Sequence, residues 1–260
     1  MSRLQKIFEQ KKQKVLNVYF TAGYPAVNDT LTIMESLATN GADIIEIGMP
    51  YSDPLADGPI IQESSSKALL NGMNMKLLFH QLKDCRKNGL LANTGIVLMG
   101  YMNPVLQYGF EQFCADAASV GVDGLILPDL PEFEFEQEYG AIIRKYGLNF
   151  IFLVTPETSP ERIKHLDQLS EGFLYAVSAS ATTGGATNFE MVEKYLLRLQ
   201  SMKLKNPLMV GFGIKDKESF DAACKNANGA IIGSAYIKEL GKMNDIVTTT
   251  QQFLQPIIGN

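Results

Sequence analysis

The segment DIIEIGMPYSDPLADGP occupies residues 43–59. It opens as a short apolar, β-branched run, Ile44, Ile45 and Ile47, broken only by Glu46. Strict in–out alternation is weak, which is how a strand buried on both faces reads, and such strands belong to parallel sheets. Seven further runs share this texture: VLNVYF (15–20), GIVLMG (95–100), DGLILP (123–128), NFIFLV (149–154), FLYAVS (173–178), PLMVGF (207–212) and GAIIGS (229–234). Between them lie segments of helical period at 31–41, 75–89, 110–121, 134–147, 159–170, 189–202 and 217–226. In the first, Leu31, Met34, Leu37 and Ala38 share a face, Asp29 is placed as a cap and Gly41 as a stop. Eight strands alternating with helices predict an α/β protein, one (β/α)8 TIM barrel spanning residues 1–260. The usual length of that fold is about 250 residues. A doubly wound open sheet is the rival, disfavoured because no Gly-x-Gly-x-x-Gly follows the first strand. An extra N-terminal helix, with Leu4, Ile7 and Phe8 on one face, is expected to cover the barrel bottom. A C-terminal helix is expected at about 244–254.

Composition narrows the function classes. Hydrophobic residues make up 46% and charged residues 20%, and the net charge is −5. An excess of acid argues against nucleic-acid and anionic-membrane partners, though not against one small anion held locally. Cys85, Cys114 and Cys224 are scattered, with no CxxC pair, which suits a reducing cytoplasm. With only His80 and His165, a metal site built on several imidazoles is excluded and no metal is expected. The N-terminal stretch MSRLQKIFEQKKQK lacks the apolar run of a signal peptide or membrane span, so a cytoplasmic location is expected.

In a barrel of this kind, chemistry sits where the strands end and the following loops begin. A carboxylate in a buried strand is costly unless it has a partner or a role. Glu46, near the end of the second predicted strand, is therefore a candidate acid–base group, since burial would raise its pKa towards neutrality. The loop behind it, stiffened by Pro50, Pro54 and Pro59, presents Asp53 and Asp57. Turn formation accounts for Asp53 well enough. Two carboxylates in different environments can divide acid and base roles.

Three late strand ends are rich in glycine: 177–187, 211–214 and 231–235. Backbone N–H groups at such ends, with the hydroxyl of Ser234, suit a phosphate. The residues alone thus describe a barrel enzyme acting on a small phosphorylated substrate through carboxylates.

The stretch from Glu46 to Pro59 closely resembles the signature segment of tryptophan synthase alpha subunits. The resemblance continues through Tyr19–Pro25, Leu98–Pro104, Pro128–Pro131, Gly211–Ile214 and Gly233–Ala235. It implies a lyase that splits indole-3-glycerol phosphate into indole and D-glyceraldehyde 3-phosphate by a retro-aldol cleavage. Glu46 would be the general acid and base, and Asp57 would accept the indole N–H. Tyr175 and Thr183 match substrate-site positions of the family, while Tyr19, Leu98 and Leu125 are expected to line an indole pocket. Gly184, Gly211, Phe212, Gly213, Gly233 and Ser234 would hold the phosphate. Where many members carry Ser-Arg-Ser-Gly-Val-Thr-Gly, this chain has Ser178-Ala179-Ser180-Ala181-Thr182-Thr183-Gly184. That departure bears on loop closure more than on the chemistry. The resemblance also implies a beta subunit in an αββα complex, with Asp53, Pro54, Asn103 and Pro104 at the interface. No cofactor is expected in this chain, pyridoxal phosphate belonging to the partner. Another phosphate-binding barrel, or a regulatory subunit with little turnover, are the competing readings.

Overall fold

The computed structural model describes residues 1–177, 189–211, 213–242 and 245–259. Nine short strands form one sheet: β1 (Val15–Thr21), β2 (Ile44–Gly48), β3 (Gly95–Met99), β4 (Gly124–Ile126), β5 (Asn149–Phe150), β6 (Leu153–Val154), β7 (Leu174–Val177), β8 (Leu208–Gly211) and β9 (Gly229–Ile232). The order is β5-β4-β3-β2-β1-β9-β8-β7-β6, and every pairing is parallel.

The two ends of that order, β5 and β6, are halves of the single run at 149–154. Ile151 N–H donates to Leu125 O at 3.0 Å, towards β4, while Phe152 O accepts from Tyr175 N–H at 3.0 Å, towards β7. One predicted strand thus serves both neighbours in turn, and the chain itself closes the ring. The eight predicted strands become nine hydrogen-bonded ones for this reason. The architecture is the (β/α)8 barrel, and the open-sheet rival is set aside.

Side chains alternate between the two faces of the ring. One cluster lies inside: Val15, Ile44, Val97, Ile126, Ile151, Phe173, Met209 and Ile231. A larger one lies between strands and helices and includes Val18, Phe20, Ile45, Ile47 and Leu98. The inner cluster is completed by Leu4, Ile7 and Phe8 of the N-terminal helix Arg3–Gln10. A capping box starts that helix, with Ser2 and Gln5 satisfying each other's backbone N–H. Its fit to the barrel floor is close. A Cβ at Gly95 would come 2.7 Å from the Leu4 side chain, and one at Gly172 2.9 Å. The buried carboxylate of Asp123 pairs with both Arg3 and Arg86 and ties the plug down. The bottom of the barrel is therefore shut, and the lumen opens where the strands end.

Helix ends differ in detail from the sequence expectation. The helix expected at 75–89 stops at Leu82, and the C-terminal helix runs Ile246–Ile258. Asp29 precedes the helix Thr30–Thr39 without a side-chain bond to it, its carboxylate instead accepting from Ala26 N–H at 2.9 Å.

Candidate active site

Alternation places Asn17 and Tyr19 of β1, Glu46 and Gly48 of β2, Met99 of β3, Tyr175 of β7 and Gly211 of β8 on the inner face, above the plug. Glu46 is 1% exposed. Its Oε2 accepts a hydrogen bond from Asn17 Nδ2 at 2.6 Å. Burial pushes its carboxyl up to about 7, the charge of Asp57 adds to the rise, and the Asn17 bond opposes it. A proton on this group is exchangeable near neutrality.

Asp57 comes from the loop between β2 and the helix Pro59–Leu70. The loop is fastened at both sides of the carboxylate. Ala56 N–H donates to the Tyr101 hydroxyl at 3.1 Å, and Gln62 Nε2 donates to Asp57 O at 2.7 Å. Burial raises the Asp57 carboxyl, and a hydrogen bond from the Tyr101 hydroxyl holds it down. The hydroxyls of Tyr19 and Tyr175 are pushed well up, first by burial and then by the charges of both Glu46 and Asp57. The charges of both carboxylates thus bear on both tyrosines.

Glycines also stand at the ends of β8 and β9. A Cβ at Gly211 would come 2.6 Å from the Tyr175 hydroxyl, and one at Gly233 would meet nothing nearer than Tyr19 Cβ at 3.5 Å. Gly48 leaves room in the same way for the Tyr19 hydroxyl. Gly213 has φ +44°, a left-handed backbone that suits glycine. Ser234 begins the helix Ser234–Leu240 immediately after Gly233. Thr183, Gly184 and Phe212 lie outside the described residues. Among the described residues, no group of three or more His, Cys, Asp and Glu side chains could hold a metal ion.

The family model described as Tryptophan synthase alpha chain matches residues 5–256. The chain belongs to the tryptophan synthase alpha chain family. Of relatives bearing that name, the one from Flavobacterium johnsoniae is 51% identical over 254 residues, covering 95% of this chain and 98% of its own. That from Parabacteroides distasonis is 47% identical over 241 residues, covering 92% and 93%. Among solved structures, tryptophan synthase subunit alpha from Legionella pneumophila superposes with a TM-score of 0.90 at 35% identity, covering 99% of this chain and 97% of that one. A chain of the tryptophan synthase complex from Pyrococcus furiosus gives a TM-score of 0.85 at 34% identity, covering 95% and 99%.

Two expected pocket residues lie on the other face of the sheet. Leu98 and Leu125 are fully buried, but in the cluster between strands and helices. Their chain neighbours Val97, Met99 and Ile126 pack with the inner cluster. A strand turns successive side chains to opposite faces, so an error of one position exchanges lumen for helix layer. Tyr19 and Tyr175 lie on the inner face. Asn17 and Tyr101 were not singled out from sequence, although counting by twos back from Tyr19 would have put Asn17 inside.

The residues expected at a partner surface come from the segments that follow β2 and β3. Asp53, Asn103 and Pro104 share a cleft of about 900 Å³ with Tyr51, Met75 and Gln107. Asn103 Nδ2 donates to the Tyr51 hydroxyl at 2.9 Å, joining the loops after β2 and β3. Pro54 sits beside Asp53 in the same loop, next to the 78% exposed Leu55. Neither Glu46 nor Asp57 lines this cleft.

Proposed function

We infer that the chain is the lyase that cleaves indole-3-glycerol phosphate to indole and D-glyceraldehyde 3-phosphate. What supports this reading is the match of residues 5–256 to the tryptophan synthase alpha chain family, together with a carboxylate, Glu46, buried on the inner face above the plug. The protonated Glu46 carboxyl gives its proton to the ring carbon that bears the glycerol chain. The ring becomes an indolenine cation, and the Asp57 carboxylate accepts the hydrogen bond of its N–H. An interaction that strengthens as the nitrogen loses electrons lowers the barrier rather than merely tightening binding. The Glu46 carboxylate then takes the proton of the hydroxyl on the adjacent chain carbon. The carbon–carbon bond breaks, its electrons restore the indole, and the aldehyde forms on the departing fragment. Glu46 ends protonated as it began. A group poised at about 7 can give and take a proton with little loss either way.

The phosphate rests at Gly211, Gly213, Gly233 and Ser234, held by backbone N–H groups rather than by cations. Tyr19 and Tyr175 flank the ring. Released indole passes to a beta subunit docked over Asp53, Pro54, Asn103 and Pro104, within an αββα assembly for L-tryptophan synthesis. Pyridoxal phosphate belongs to that partner. One domain, residues 1–260, carries the reaction, in the cytoplasm. Among the described residues no helix is long and apolar enough to cross a membrane.

The test is an assay of the purified chain with indole-3-glycerol phosphate, with and without a beta subunit. Indole and glyceraldehyde 3-phosphate should appear in equal amounts, faster with the partner present. No indole under either condition would overturn the reading.

A further inference from the structure

Asn17 is the one amide side chain on its strand. It is fully buried in β1 and pairs in register with Ile44 on one side and Ile231 on the other. The inner-face cluster beside and below it is apolar and includes Val15, Ile44, Val97, Met209 and Ile231. Its Nδ2 donates to Glu46 Oε2 at 2.6 Å, while its Oδ1 is buried with no hydrogen-bond partner. A leucine of similar size would pack in such a layer and leave no amide oxygen without a partner. Packing therefore does not explain the amide, and the one bond it makes does.

We propose that Asn17 is a positioning residue for the lyase reaction, its amide holding the Glu46 carboxylate in one orientation and stabilising the ionised form. A carboxyl that must both give and take a proton at one ring position needs a fixed direction. It also needs its charged state to be accessible inside an apolar wall, and a single N–H donor supplies both. The inference rests on the reading of Glu46 as the proton carrier.

The groups that act electrically on Glu46 are few. Asp57 faces it from the loop after β2, Tyr19 from β1 and Tyr175 from β7. From β3 its register neighbour is Val97, which carries no charge. Both tyrosines are held far above their ordinary range and stay neutral through the pH range of an assay. Loss of the Asn17 donor would thus appear in the Glu46 proton alone. Removing a donor disfavours the carboxylate, so the proton is retained to higher pH. Because the reaction starts from the protonated acid, the alkaline limb of kcat/KM moves up.

The experiment compares Asn17→Leu, Glu46→Gln and the parent by pH–rate profiles of indole release, with unfolding midpoints measured alongside. For Asn17→Leu the alkaline limb should rise by about one pH unit and kcat should fall about ten-fold, with KM nearly unchanged. A profile superimposable on that of the parent would overturn the proposal. Asn17→Val, equally without a donor, decides in the same way should the leucine prevent folding. Glu46→Gln separates the two readings. If it keeps near-parental activity, the assignment of Glu46 itself is lost. If it is inactive while Asn17→Leu leaves the limb in place, only the role of Asn17 is lost.

Discussion

The hydroxyl of Tyr101, just past the end of β3, accepts the Ala56 N–H at 3.1 Å, one residue before Asp57, whose carboxyl it holds down against the lift of burial. One phenol thereby fastens the backbone of the loop that carries the second acid and bears on that acid's charge. Tyr101 is itself fixed from behind, because the neighbouring Met102 N–H donates to Asp129 at 3.0 Å. Rings of Tyr51 and Tyr101 lie 5.6 Å apart, and Asn103 donates to the Tyr51 hydroxyl. The loops after β2, β3 and β4 are thus linked in sequence, and the acid furthest from any strand borrows the rigidity of its neighbours.

Tyr101→Phe should therefore slow the reaction without dismantling the barrel. Loss of a donor to the carboxylate lets burial raise Asp57 further. Asp57 works as the ionised form, so activity disappears as pH falls through its pKa. The acid limb of the pH–rate profile should move to higher pH, with kcat down about ten-fold. Unfolding measurements should register a loss of only about 1 kcal/mol. An unmoved acid limb would detach Tyr101 from Asp57.

Glu46 carries a cost in stability that can be measured. Its carboxyl is raised from 4.5 to about 7 in the folded chain, chiefly by burial. A group raised in this way favours folding fully only below its unfolded value, and that advantage is lost as pH climbs through the folded one. Above pH of about 7 the folded state bears a penalty on the order of 3 kcal/mol from this one ionisation. Glu46→Gln should accordingly be more stable than the parent in alkaline buffer and no more stable near the unfolded carboxyl value, while losing indole release. Denaturant midpoints at the two pH extremes provide the comparison. A variant less stable than the parent at alkaline pH would show that the buried carboxylate is better compensated than its surroundings indicate.

Much of the molecule was legible before any coordinates. Nearly continuous apolar runs separated by helical segments specify parallel strands covered on both faces, and the plug could be read from Leu4, Ile7 and Phe8. Glu46 announced itself as a charge in such a run. What could not be read is how the run at 149–154 divides its hydrogen bonds between β4 and β7, since that depends on closure of the whole ring. The pocket lining failed for another reason. Leu98 and Leu125 are apolar residues in strands apolar on both faces, so hydrophobicity carries no information about which way they point. Register does. Glu46 pairs with Tyr19 and Val97, and that single pairing assigns the inner face of three strands. It also brings Asn17 inside, a residue whose polarity stood out only once its neighbours were known to be Ile44 and Ile231.

The parity argument can be checked on adjacent positions. Leu125 is fully buried against the helix layer, whereas Met99, at the end of β3 beside Gly48, faces the lumen. Leu125→Ala should cost about 2–5 kcal/mol of stability, the penalty of an unfilled core site, and leave KM for indole-3-glycerol phosphate unchanged under conditions where the variant is folded. Met99→Phe adds bulk where the ring must enter and should raise KM about ten-fold with a smaller loss of stability. The two effects separate because the wall between lumen and helix layer is one strand thick, and a side chain can serve only one side of it. A KM change in Leu125→Ala with stability intact would place that leucine inside the barrel and reverse the assignment of faces.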